Sequence, residues 1–347
     1  MLKNIELNSV TVFGDESIDF SRGLNVIIGE NGTGKSHLLK MGYILSYVSH
    51  QWGKVANQPS KASMQKDIAD KMINVFRPET LGRLTSRVRG RARSEISTHF
   101  SDNKSDFSFS FATNSKSDVT LDRQPEQFLE CDAPLYIPTR EVVTIFPGFV
   151  ALYEGRHLEF EETYRDLCIA LGQPLLKGPR EKVVKKLVAP LEKCLGGRLW
   201  LDKNGRFYLS IPGKGTMEMP LVAEGIRKLA MLSYLMLNGS LSNRGTLFWD
   251  EPEANLNPQL LRVIAGTLVT LAASGIQIVL ATHSLFLLRE LELLTSNGKS
   301  DIRFIALSKQ DGLVAVEQSD DIVAIQTIAA LEAEADQNDR MQEWLEK

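Results

Sequence analysis

Apolar and polar residues alternate from Ile5 to Val12 and again from Ser17 to Phe20, and an apolar run broken only by Asn25 then covers Leu24 to Ile28 and ends in Gly29. Alternation predicts two half-buried strands, and the run predicts a strand buried on both faces that feeds a loop. Beyond the loop, Leu38, Leu39, Met41, Ile44, Leu45 and Val48 recur at helical spacing, so strand, glycine-rich loop and helix follow one another. Residues 51 to 93 are polar and increasingly basic. From Ser94 the period falls to two, with SEISTHF and DFSFSFA around a turn-like SDNK, which predicts a β-hairpin. Leu135 to Pro138 is a further strand, followed by helical patterning through Leu171 and a helix over about 180 to 195. A meander follows from Arg198, with turns at Asn204-Gly205 and Pro212-Gly213. Two late runs, TLFWD at 246 to 250 and QIVLATH at 277 to 283, have the look of buried parallel strands. The pattern closes with a hairpin around a DG turn and an acidic amphipathic helix over about Ile322 to Leu345. We find no internal repeat and no heptad run of coiled-coil length.

Composition adds bounds. The 347 residues suffice for one large or two ordinary domains, and 43% hydrophobic content allows a sizeable core. A net charge of −3 gives no global footprint for nucleic acid, so any such contact needs a local basic patch. Cys131, Cys168 and Cys194 fit neither a disulfide framework nor a CxxC metal site, and a reducing compartment is the simplest expectation. The start of the chain carries no signal-peptide pattern. IQIVLATHSLFLL is interrupted by His283 and closed by Arg289, too short and polar to span a bilayer. The expectation is a cytoplasmic protein with no membrane partner.

GENGTGKS, Gly29 to Ser36, matches G-x-x-x-x-G-K-[ST] between a buried strand and an amphipathic helix. In such a loop Gly29, Gly32 and Gly34 permit tight turning, and the backbone N–H groups from Gly29 through Asn31, Thr33 and Ser36 converge on phosphate oxygens. Lys35 then reaches the β- and γ-phosphates of ATP, and the Ser36 hydroxyl takes Mg²⁺. Asp250, ending TLFWD, supplies the carboxylate that holds Mg²⁺ with Ser36. Glu251 stands next to it as the candidate general base. His283 ends the neighbouring apolar run and would meet the γ-phosphate, although a histidine at a strand end is by itself more often structural.

GENGTGKS, VAEGIRKLA (Val222 to Ala230), FWDEPEANLNP and ATHS together resemble the ABC-type ATPases of the SMC, Rad and RecF group. They are closer still to the ATPase domains of the OLD family and of bacterial anti-phage defence ATPases. Asp250 lies 215 positions beyond Lys35, room for the inserted lobe of the ABC arrangement. The resemblance implies an α/β fold, an ABC-type head with a mixed, mostly parallel core sheet, an N-terminal antiparallel β-lobe and a helical insert. Its implied parts are β-lobe and P-loop (1–50), basic insert and hairpin (51–131), helical lobe and meander (132–221), a core with signature, Walker B and switch histidine (222–317), and a terminal helix (318–347).

In the family a signature sequence starts a helix that meets the γ-phosphate held by a partner subunit. Carried over, Ala223 falls on its serine and Gly225 on its second glycine. Alanine has no hydroxyl, so Arg227 or Lys228 either supplies part of the missing attraction or faces solvent on an amphipathic helix. Asn255 to Pro258 corresponds to the D-loop. The family's glutamine loop has no clear match, YIPTRE ending at Glu141 being the nearest in place. Phe13 is a candidate adenine contact and a better core residue.

The function implied is an ATPase that hydrolyses ATP with Mg²⁺ as a homodimer or higher homo-oligomer and controls a separate effector, a nuclease or toxin, in anti-phage defence. The 64 residues after His283 leave no room for the OLD nuclease, hence the separate chain. Two other readings stay open: a RecF- or SMC-like DNA-repair ATPase, kept alive by six arginines between Arg77 and Arg93, and a nucleotide-gated scaffold with little hydrolysis, favoured by Ala223. The acidic C-terminal helix either packs or docks a partner, and packing is the simpler expectation.

Overall fold

The computed structural model describes residues 1–347 apart from 56–57, 87–89, 242–244, 297–300, 311 and 346–347. Its elements run β1 (Leu2–Val10), β2 (Phe13–Asp19), β3 (Leu24–Gly29), α1 (Lys35–Lys54), α2 (Lys61–Phe76), β4 (Arg93–Phe100), β5 (Phe107–Ala112), β6 (Thr120–Arg123) and β7 (Leu135–Ile137). Next come α3 (Phe149–Glu154), α4 (Glu162–Leu171), α5 (Pro179–Leu195), β8 (Arg198–Leu201), β9 (Phe207–Ile211), β10 (Gly215–Glu218) and α6 (Glu224–Leu237). The chain continues through β11 (Thr246–Asp250), α7 (Pro258–Ala273), β12 (Gln277–Thr282), α8 (Leu285–Thr295), β13 (Ile302–Gln310), β14 (Leu313–Ser319) and α9 (Ala329–Leu345).

Eleven strands form one sheet in the order β6-β5-β4-β1-β2-β14-β13-β3-β12-β11-β7, and β8, β9 and β10 form a separate antiparallel meander. The stretch from β13 to β7 is parallel throughout, while β1, β2, β4, β5 and β6 make an antiparallel lobe continuous with it. Side-chain alternation splits the core in two. Leu24, Val26, Ile28, Leu247 and Trp249 face the layer that holds α6 and α7, and Ile27 and Phe248 face the one that holds α1 and α2. Parallel register pairs Ile28 with Thr282 and Trp249 with Leu280, so the carboxyl ends of β3, β12 and β11 finish at one sheet edge. Open α/β sheets bind ligands at that edge. Among the described residues no helix is long and apolar enough to cross a membrane.

Several expectations shift. The first strand stops at Val10 because Ser9 and Thr11 adopt left-handed backbone (φ 54° each) and turn the chain, and β2 starts at Phe13 rather than Ser17. The polar stretch 51–93 contains α2, whose Met64, Ile68, Met72 and Val75 are buried. The hairpin of β4 and β5 joins the main sheet through β1. Helical patterning after Pro138 resolves into two helices, α3 and α4, separated by residues 155–161. The terminal helix begins at Ala329, because Ile322, Ile325 and Ile328 are buried in a turn-rich connection that α-helix does not continue through.

One buried cluster ties the basic insert to the core. Lys71 on α2 is 4% exposed, and its Nζ lies 2.5 Å from Asp166 Oδ2 and 3.5 Å from Glu162 Oε1, both on α4. The same Nζ sits 3.4 Å above the centroid of the Tyr47 ring, and Tyr43 donates its hydroxyl to Asp166 Oδ2 at 2.6 Å. Burial and these carboxylates push the Tyr47 phenol up to about 12. Removing one partner of a buried ion pair strands the other charge, a loss of about 3–5 kcal/mol, whereas replacing both by apolar groups is often near neutral. Asp166→Ala should therefore lower stability by about 3 kcal/mol in urea unfolding, and Asp166→Leu with Lys71→Met should recover most of it. A loss below about 1 kcal/mol in the single variant would show the cluster to be solvated rather than buried.

Candidate nucleotide site

Gly34 caps the start of α1 with left-handed backbone (φ 89°) and no side-chain cap, so the first-turn N–H groups of a 20-residue helix stay available to an anion. A Cβ on Gly34 would meet Val12 Cγ2 at 2.5 Å, and one on Gly29 would lie 2.5 Å from the Leu307 carbonyl oxygen. Only glycine fits either place. Thr33 is buried and donates its hydroxyl to the Glu30 carbonyl at 2.8 Å, which fixes the turn, while Asn31 and Gly32 stay exposed on its outer side. Lys35 Nζ donates to the carbonyls of Gly29 (2.7 Å) and Glu30 (2.9 Å), so the ammonium lies over the loop. Burial lowers its pKa against the opposing pull of the carboxylates of Glu251, Asp250, Glu253 and Glu30.

Asp250 ends β11 beside this loop. Burial raises its pKa, and the Ser36 hydroxyl counteracts that shift. Tyr136 on β7 donates to its Oδ2 at 3.4 Å, whereas Oδ1 is buried with no hydrogen-bond partner. An orphaned carboxylate oxygen next to a serine hydroxyl is the donor set Mg²⁺ takes when substrate phosphates and water complete its shell. The residues fit the ion. Among the described residues no cluster of three His, Cys, Asp or Glu side chains forms an all-protein metal cage.

Glu251 follows in left-handed backbone (φ 47°), its N–H donating to the Ala281 carbonyl at 2.9 Å. His283 Nδ1 lies 3.4 Å from both Glu251 Oε1 and Glu253 Oε1. Glu253 was not singled out from the sequence. It is buried, and its Oε1 accepts the Thr282 hydroxyl (2.7 Å) and the His283 N–H (2.9 Å), so it sets where the histidine stands. The repeated carboxylate in Glu251-Pro252-Glu253 was the available signal.

The structure places the signature candidates at the start of α6. Ala223 is exposed at its N-cap, and Gly225 is buried where a Cβ would come within 2.6 Å of the Asn255 carbonyl oxygen. Neither solvent-facing nor phosphate-seeking roles describe the cations beyond them. Arg227 Nη1 pairs with the buried Glu141 Oε1 at 2.6 Å, and Lys228 is fully buried. Phe13 is core, 1% exposed. In the basic segment Arg83 pairs with Glu79 and Arg93 with Asp122, Arg77 caps α2, and Arg87 and Arg89 lie outside the described residues. Among the described residues, helix α9 lies against the body of the protein near its start, where Glu334 also pairs with Arg289. Ala329, Ala330 and Ala333 line a groove of about 450 Å³ with Gly29, Glu30, Asn31 and His283, while Met341, Trp344 and Leu345 at its far end are exposed.

Residues 24–289 match the family described as "AAA domain, putative AbiEii toxin, Type IV TA system". The chain belongs to this family. The match starts at β3 and runs past His283, so it spans every element of the nucleotide site in this AAA domain. Among solved structures, an Smc head bound to the C-winged helix domain of ScpA is 15% identical, with a TM-score of 0.55 over 92% of this chain and 97% of that one. The Smc head with an extended coiled coil bound to the C-terminal domain of ScpA derived from Pyrococcus furiosus is 14% identical, with a TM-score of 0.51 over 98% and 99%. At such identities the likeness is one of fold, and the AAA domain has the fold of an SMC head. No curated protein matches the sequence significantly.

Proposed function

We propose that this AAA domain hydrolyses ATP with Mg²⁺ as a head-to-head homodimer and uses that cycle to control a separate effector protein in anti-phage defence. The observation that carries the reading is the meeting of Lys35, Ser36, Asp250 with its unpartnered Oδ1, Glu251 and His283 at one sheet edge. In this reading Lys35 leaves the loop carbonyls for the phosphates. Ser36 and Asp250 hold Mg²⁺, which neutralises charge on the phosphate oxygens. Glu251 takes the proton from the attacking water, and His283, held by Glu253, orients the terminal phosphate. The exposed start of α6 at Ala223 is free to meet a second copy's nucleotide through backbone N–H groups and the helix dipole. The effector, and the defence setting with it, rest on the resemblance of the motifs and on the toxin–antitoxin description of the family.

Phosphate release and sizing chromatography with ATP and Mg²⁺ test this together. The expected result is turnover abolished by chelation and a dimer that appears only with ATP; turnover by a strictly monomeric chain would overturn the head-to-head arrangement. A scaffold with little hydrolysis is the second reading, because Ala223 offers no hydroxyl to a partner's phosphate, and it is the outcome in which ATP drives dimer formation without phosphate release.

A further inference from the structure

Lys228 is the most unexpected cation in the molecule. It lies in the first turns of α6, where sequence pattern points outward, yet it is 0% exposed. A buried ammonium needs acceptors for its protons. It finds them in main chain: Nζ donates to the Ala254 carbonyl at 3.0 Å and the Glu251 carbonyl at 3.3 Å. Those carbonyls belong to the short turn that leaves β11, in which Ala254 N–H bonds back to Glu251 (3.2 Å) and Leu256 N–H to Glu253 (3.0 Å).

That turn is an unfavourable one for its residues. Glu251 (φ 47°) and Asn255 (φ 64°) both sit in the left-handed region, which asparagine tolerates but which a glutamate disfavours and keeps only when the surroundings over-determine it. Two contacts from α6 do so. Lys228 holds the carbonyls near the two ends of the turn, and Gly225, one helical turn earlier, lets the Asn255 carbonyl approach to a distance no Cβ would allow. Glu251 belongs to this turn, so its direction toward His283, whose Nδ1 lies 3.4 Å from its Oε1, depends on that backbone. Burial lowers the pKa of Lys228, and the carboxylates of Glu224, Glu253, Glu251 and Asp250 oppose the shift.

We propose that Lys228 is a positioning residue for the hydrolytic carboxylate: it locks the 251–255 turn in the conformation that aims Glu251, and joins that turn rigidly to the start of α6. Whatever binds at the exposed N-cap of α6, Ala223, therefore acts on Glu251 of the same chain. The proposal rests on the reading of Glu251 as the proton acceptor.

The test is Lys228→Met, which keeps length and apolar volume and removes the donors, with Lys228→Gln as the second variant should the first not fold. ATP affinity and KM should stay within about 2-fold of wild type while kcat falls about 10-fold or more, because the phosphate loop is untouched and only the aim of Glu251 is lost. In a Glu251→Gln background the same change should add almost nothing in single-turnover rate, since both act through one group. Amide hydrogen exchange at 251–256 should accelerate, with exchange in β3 and α1 unchanged. A folded variant whose turn exchanges as slowly as wild type, or a kcat loss that multiplies onto Glu251→Gln, overturns the proposal. Absence of turnover in the wild type would instead defeat the ATPase reading, and the exchange measurement still decides whether Lys228 holds the turn.

Discussion

Lys35→Ala should abolish measurable ATP binding in calorimetry while leaving the fold intact. The ammonium is the side-chain cation that the phosphate loop itself supplies, and it stands over the loop on the carbonyls of Gly29 and Glu30. A charge-assisted hydrogen bond contributes about 1.5–3 kcal/mol, and two to the phosphates make a loss of about 100-fold or more in affinity. The cost to the free protein is small, because Glu30 is exposed and Gly29 half-buried, so water can replace the ammonium on both carbonyls. Melting without nucleotide should therefore shift by no more than about 1 kcal/mol equivalent, while the stabilisation that ATP gives the wild type disappears. An unchanged affinity would remove the phosphate loop from the nucleotide site altogether.

The elements that build this loop were legible because their physics is local. β3, β11 and β12 are buried on both faces and so read as apolar runs, broken in β3 by Asn25 alone, and the glycines that end β3 and begin α1 mark close approach and left-handed backbone. What the sequence hid depended on distant partners. In α2 the five buried apolar residues are diluted by as many charged ones, so the segment reads as polar until Lys71 is seen paired with residues of α4. β2 runs from Phe13 into Gly14-Asp15-Glu16, a turn-like string that becomes strand where β1 supplies the ladder.

Lys228 and Arg227 failed for the same reason on a finer scale. Cations on a helix next to Glu224 carry the signature of a solvated face, and nothing in their spacing announces that Lys228 bonds carbonyls from 23 and 26 positions away and Arg227 a carboxylate from 86 positions away. Glu253 shows the converse. Its place beside Glu251 was plain in the sequence, but whether two neighbouring carboxylates share a task or divide it depends on backbone direction, and only the hydrogen bonds to Thr282 and His283 separate them.

That separation governs the second large effect. Glu251→Gln should leave ATP affinity near wild type and slow hydrolysis by about 10²–10⁴-fold, the usual contribution of a positioned general base. The amide preserves the shape of the side chain and can still accept a hydrogen bond from water, but it cannot take the proton. Asp250, Ser36 and Lys35 are untouched, so nucleotide and ion are still held, and the ATP-bound dimer should accumulate as a stable peak in sizing chromatography with ATP and Mg²⁺. Glu253→Gln is the informative comparison. Its Oε1 already accepts two hydrogen bonds that seat His283, and a glutamine oxygen can keep both, so turnover should fall far less than with Glu251→Gln. If Glu253→Gln instead stops hydrolysis and Glu251→Gln does not, the proton acceptor is the buried carboxylate, and the unpartnered Glu253 Oε2 is the atom that receives the proton.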